Sequence, residues 1–214
     1  MVAPRYMPRS TMLRCSSGSS TGRRASITSA SVTATAVGYR RVLDAHLLPL
    51  AVGRGSMLHL VRHADAGSRM AWTGDDFHRP LDDFGQMQAE AIGATLATCP
   101  VQRILSSPAV RCVDTVVPLG RALGLPVETA DELAEGTFVG VAFDLLRSLA
   151  SAEGDSVLCS HGDVIPGLLW VLAQYGLDIP ELGRCKKGSI WELEVSDGRI
   201  VGASYRHPRT FGAA

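Results

Sequence analysis

Lysine is nearly absent: the 214 residues carry two, against 19 arginines, a bias that fits GC-rich coding DNA. No apolar run reaches the roughly 18–20 residues that a membrane-spanning helix needs, so integral insertion is not expected. The five cysteines, at 15, 99, 112, 159 and 185, form no CxxC pair and no metal-ligand spacing. They read as small buried hydrophobes in a reducing compartment, and the expected location is the cytoplasm. None has an arginine six residues further on, which excludes a cysteine-phosphatase loop, where thiolate and guanidinium cradle one phosphoryl group. HxxH, HExxH and paired-carboxylate spacings are missing too, so the chemistry expected is metal-independent and without a cofactor.

The net charge of zero conceals a division. Residues 1–56 carry eight arginines and one acid, Asp44, whereas residues 57–214 carry 13 basic and 20 acidic side chains. An acidic body argues against a nucleic-acid-binding surface. The first 50 or so residues are rich in Ser, Thr and Arg and have no helical or strand period, so they bury too little apolar surface to offset their ordering entropy. We expect residues 1–56 to form a disordered extension and residues 57–214 to form the functional domain. An early start in GC-rich DNA, with Met57 as the true beginning, is the preferred account of the extension. A transit peptide and a basic interaction tail are the alternatives.

The stretch that organises the rest is Leu58–Asp65, an apolar run ending abruptly in Arg62 and His63. Leu58–Val61 reads as a buried strand, and the loop 64–80 follows it. A helix starts near Asp83, with Asp83 and Gln86 as a capping box and Phe84, Met87, Ala91, Ile92 and Leu96 as its apolar face. Val101–Leu105 is a second strand. Ser107-Pro108 opens a helix with Ser107 as N-cap, Arg111 in its first turns and Pro118 kinking or splitting it before Gly124. A short strand at 126–129, an acidic loop, a helix at 141–150, a strand at 156–159 and an apolar helix at 163–175 complete the alternation. Strands at 190–195 and 200–205 flank Asp197-Gly198, a hairpin turn.

This order predicts an α/β three-layer sandwich: a mostly parallel central sheet flanked by helices, plus a late β-hairpin. In such sheets the functional crevice lies beyond the carboxyl ends of the strands. His63, the segment Ser107–Arg111 and His161 each follow a strand end. His59 falls inside the first strand and is expected to be packing, while His46, His78 and His207 carry no signal.

For a phosphate monoester or phosphoramidate, a neutral imidazole is a competent nucleophile, and the non-bridging oxygens need lasting donors. Arg62 and Arg111 offer planar, permanently charged forks and should hold His63 neutral. His161 is a further donor, and the backbone at the Ser107-Pro108 helix start would add N–H groups. A leaving group needs a proton, for which Asp131, Glu132 and Glu135 are the candidates; spacing alone does not choose among them.

These residues resemble a known family. Leu60-Val61-Arg62-His63-Ala64-Asp65, Ser107-Pro108 with Arg111 and Thr115, and Ser160-His161-Gly162 are similar to the histidine phosphatase superfamily (phosphoglycerate-mutase-like) over about residues 57–207. Within it the chain looks like the small SixA-type phosphohistidine phosphatases. It looks closer still to the phosphatase domain of mycobacterial MutT-type Nudix proteins, through Ala66-Gly67-Ser68, Gly74-Asp75-Asp76, Arg79-Pro80-Leu81 and Lys186-Lys187-Gly188-Ser189 before Trp191. The chain itself has no Nudix box.

The resemblance implies His63 as the phosphoryl acceptor, Arg62, Arg111 and His161 as the phosphate pocket, and Glu135 as the acid, on Leu133-Ala134-Glu135. The family's usual glycine after the catalytic histidine is Ala64 here, and Arg69 stands near the place of a phosphate-contacting Asn. About 20 residues separate Glu135 from the strand at Ser156, too few for the lid of a phosphoglycerate mutase. The expected substrate is therefore a phosphohistidine on a protein surface or a small phosphate ester. The alternatives are a nucleotide phosphatase acting beside a Nudix hydrolase and a non-catalytic phosphate-binding module.

Overall fold

The computed structural model describes residues 55–210, so the expectation for residues 1–54 lies outside them. The elements are β1 (Ser56–Arg62), α1 (Asp83–Leu96), β2 (Val101–Ser106), α2 (Val110–Leu123), β3 (Val127–Thr129), α3 (Val139–Ala150), β4 (Asp155–Ser160), α4 (Val164–Gln174), β5 (Ile190–Ser196) and β6 (Arg199–Arg206). Among the described residues no helix is long and apolar enough to cross a membrane.

The strands form one sheet in the order β3-β2-β4-β1-β5-β6. The first four are parallel, and β5 and β6 run antiparallel. Alternation along β1 divides the core between the two faces. Leu58 and Leu60 pack with Leu158, Leu146 of α3 and Ile165 and Leu168 of α4. Val61 faces the other way, with Val157, Ile104, Ile92 of α1 and Val116 and Leu119 of α2. Helices on both faces of a mostly parallel sheet make the expected sandwich. The hairpin turn has positive φ at both Asp197 (51°) and Gly198 (71°), the geometry that matches strand twist.

Four local expectations are corrected. The N-cap of α1 is Asp82, which accepts from Gly85 N at 2.7 Å. Its buried face is Gly85, Ala89, Ile92, Gly93 and Leu96, while Phe84 and Met87 lie exposed. The cause is close backbone approach: a Cβ on Gly85 would stand 1.8 Å from Asp65 O, and one on Gly93 3.0 Å from Pro118 Cβ and Leu119 N. Packing through glycines leaves the larger apolar side chains outside. Ser107 does not cap α2, which starts at Val110 after Ala109. Pro118 does not split α2 either; its ring sits in the space that Gly93 leaves open.

Candidate active site

Because β2, β4 and β1 are adjacent and parallel, their carboxyl ends deliver Ser107, His161 and His63 side by side. The backbone continues the ladder past the strand ends: His63 N donates to Ser160 O at 3.0 Å and Ser107 N to Cys159 O at 2.9 Å. From the antiparallel side, Gly188 N donates to both Arg62 O and His63 O at 3.1 Å. Lys187 Nζ meets Asp65 Oδ1 at 2.7 Å, and Ala64 N donates to Thr115 Oγ1 at 2.9 Å. The residue after His63 is thus tied to α2.

The rings of His63 and His161 lie 5.4 Å apart, inclined by 62°. His63 Nδ1 is 2.8 Å from Ala64 O, and a carbonyl can only accept, so the proton sits on Nδ1 and Nε2 keeps its lone pair. The His63 pKa is lowered to about 3, first by burial and then by His161, Arg111 and Arg62, against the raising effect of the Ala64 carbonyl. The direction matches the sequence reading, but desolvation outweighs the arginines. His161 contacts Arg111 Nη2 through Nδ1 at 3.3 Å and Ser107 Oγ through Nε2 at 2.8 Å. Since a guanidinium only donates, this arrangement puts the imidazole proton on Nε2, toward Ser107. Cys112 Sγ lies 3.4 Å from the same nitrogen.

Arg111 is buried, and its two terminal nitrogens are engaged on two fronts. Nη1 donates to Asp76 O at 2.7 Å and lies 3.3 Å from Asp76 Oδ2, and Nη2 donates to Glu135 Oε2 at 2.8 Å. Glu135 also meets Arg69 at 3.4 Å. The Arg62 guanidinium bonds the Cys185 carbonyl and lies over Gly162, where a Cβ would stand 2.6 Å from Cζ. The Nε atoms of Arg62 and Arg111 are both buried without a hydrogen-bond partner.

All five residues singled out from the sequence therefore come to one sheet edge. His63, His161, Arg111 and Glu135 form a connected set, and Arg62 packs on Gly162 beside His161. No contact brings the side chains of Asp131 or Glu132 to this set. Residues between Glu135 and β4 form α3, and no separate lid element occurs there.

The sequence reading missed Asp76, whose carboxylate also takes Arg79 Nε at 2.8 Å and Arg69 Nε at 3.5 Å. Burial pushes the Asp76 pKa up, and the hydrogen bond from Arg79 with the charges of Arg111, Arg79 and Arg69 together outweighs it, holding the carboxyl below the usual carboxylate range. The signal available was the Asp76–Arg79 spacing of three in a loop that also holds Arg69. Among the described residues no group of three or more His, Cys, Asp or Glu side chains is placed to hold a metal ion.

Residues 58–149 match the model of the histidine phosphatase superfamily (branch 1). The chain is 37% identical over 152 residues to an 8-oxo-(d)GTP phosphatase of Mycolicibacterium smegmatis, an alignment covering 70% of this chain and 47% of that protein. It thus spans about half the length of that curated relative. The fold is similar to a structure solved as a candidate phosphohistidine phosphatase SixA from Nakamurella multipartitia, with TM-score 0.60 and 23% identity over 74% of this chain and 99% of that one. It is also similar to SixA complexed with tungstate, with TM-score 0.56 and 22% identity over 72% and 98% of the two chains. At these identities the solved structures carry the fold alone. With the strand-end histidines in place and the family model matched over the first two motifs, the matched stretch of this chain is similar to the histidine phosphatase superfamily.

Proposed function

We propose that the protein is a metal-independent phosphatase that works through a phosphoryl group carried on His63 Nε2. The observation that carries this reading is the fixed neutral state of His63: burial disfavours the imidazolium, and the Ala64 carbonyl holds the proton on Nδ1. Nε2 attacks phosphorus as the bond to the leaving atom breaks, an oxygen in an ester or an imidazole nitrogen in a phosphohistidine, and that atom takes a proton from Glu135. Water then gives a proton back to the Glu135 carboxylate and attacks the phosphohistidine, breaking its P–N bond, releasing inorganic phosphate and restoring neutral His63.

Arg111, Arg62 and His161 are assigned to the phosphoryl oxygens. The two buried, unpartnered guanidinium N–H groups are donors that an anion would satisfy. Glu135 now accepts from Arg111, and a phosphoryl dianion competes for that arginine. The substrate class is a phosphohistidine or a small phosphate ester. A nucleotide phosphatase is the second reading, favoured by the 37% identity to an 8-oxo-(d)GTP phosphatase.

The test mixes the full chain with a reactive phosphoryl donor in EDTA, quenches in base and locates the label by peptide mass. The expected result is phosphate on His63, absent in His63→Ala. Phosphate binding with neither adduct nor turnover would replace this reading with a binding module.

A further inference from the structure

Beside the catalytic edge the loop after β1 lines a shallow, open cleft of about 240 Å³, formed by Ala66, Gly67, Trp72, Arg79, Leu81 and Asp82 among others. It adjoins the proposed phosphate site through a shared carboxylate, because Arg79 in its wall and Arg111 at the centre both bind Asp76. Nothing in the phosphoryl-transfer steps uses it.

The groups lining it have a common character. Trp72 is held rigidly: its indole N–H donates to Asp75 O at 3.0 Å, and the ring lies against Gly74, where a Cβ would stand 3.2 Å from three ring atoms. The side chain still exposes 39% of its surface. Arg79 is buried, its guanidinium fixed by Asp76 and by the Ala66 carbonyl at 2.6 Å. The cleft therefore has an indole and a guanidinium as preset flat surfaces, and the buried Ala66 and Leu81 as an apolar lining. Flat aromatic and guanidinium faces are what proteins offer to a nucleobase. Asp82 uses Oδ1 to cap α1, whereas Oδ2 points across Gly67, 3.7 Å from where a Cβ would stand, and has no partner among the described residues. A carboxylate accepts only, so it selects a ring edge that presents N–H donors.

We propose that this cleft binds the base of a purine nucleoside phosphate of the guanine type. Trp72 stacks on the ring, Arg79 backs it, and Asp82 Oδ2 accepts from the N–H edge while the phosphate reaches Arg111 and His63. This rests on the phosphatase reading and gives it a nucleotide substrate.

The test uses the full chain and titrates guanosine monophosphate, adenosine monophosphate and inorganic phosphate by calorimetry, with release of phosphate assayed in parallel. Wild type should bind guanosine monophosphate at least about 10-fold tighter than phosphate, and Trp72→Ala should remove about 10-fold or more of that preference, the scale of one stacked base. Asp82→Asn keeps a capping side chain and should erase the preference for guanosine over adenosine monophosphate. Equal affinity for nucleotide and phosphate, or equal weakening of both by Trp72→Ala, would overturn the assignment. The expected binding pattern without any phosphate release would sink the phosphatase reading and leave the cleft assignment standing.

Discussion

His59 on β1 and His63 just past its end are both buried, and burial lowers the pKa of each. Their surroundings differ in sign. His59 lies 3.8 Å from Glu192 and 3.9 Å from Asp155, two carboxylates that favour its protonation, and neither ring nitrogen makes a hydrogen bond. Around His63 stand Arg62, Arg111 and His161, and one ring nitrogen is anchored. Carboxylates repel a phosphate and guanidinium groups attract it, so the middle of this strand and its carboxyl end differ in what they can bind. Burial alone does not mark the functional histidine; the sign of its neighbours and a fixed tautomer do.

The sharpest way to break this comparison is to remove each histidine. His63→Ala should lower turnover at least ~10³-fold, as loss of a nucleophile does, whereas His59→Leu should leave steady-state kinetics within about 2-fold of wild type. Comparable losses in the two variants would end the distinction. Next in size is Asp76→Asn, which weakens the anchor shared by Arg69, Arg79 and Arg111. Misplacing Arg111 should cost about 10- to 100-fold in kcat/KM, and a value unchanged from wild type would remove Asp76 from the site.

Acid provides a third test, on stability. Both folded-state pKa values lie below the unfolded histidine value, so the unfolded chain binds more protons as the pH drops. The stability tied to His63 is complete above about pH 6.5 and is lost as the pH falls toward about 3. His63→Gln should therefore show a smaller drop in Tm between pH 7 and pH 4 than wild type. The smallest effect belongs to His59→Leu at pH 7. Its ring atoms have no hydrogen bonds to lose, so stability should stay within about 1 kcal/mol of wild type or rise.

The parallel strands, their order of appearance and the hairpin were legible because buried strands are short apolar runs with sharp ends, and Asp197-Gly198 names its own turn. The two histidines and arginines were legible for the same reason, each lying at a strand end or within a few residues of one. The face of α1 was not, because a hydrophobic pattern records side-chain size and α1 packs through Gly85 and Gly93, where size is zero. Ser107 looked like a helix cap and instead meets His161, since the chain runs on three residues before α2 begins. Asp76 was hidden because a charged loop residue looks solvated until the fold brings three arginines to it.

Strand β1 is paired along its length on both sides, by β4 and by β5, while the loop that follows has only short helical turns until α1. Amide exchange should therefore change abruptly at one point in the chain. The N–H groups of residues 57–62 open only when the whole sheet does, and those of residues 67–78 open by local fluctuation. His63 stands at that boundary, so the proposed nucleophile is held by the slowest-opening part of the molecule.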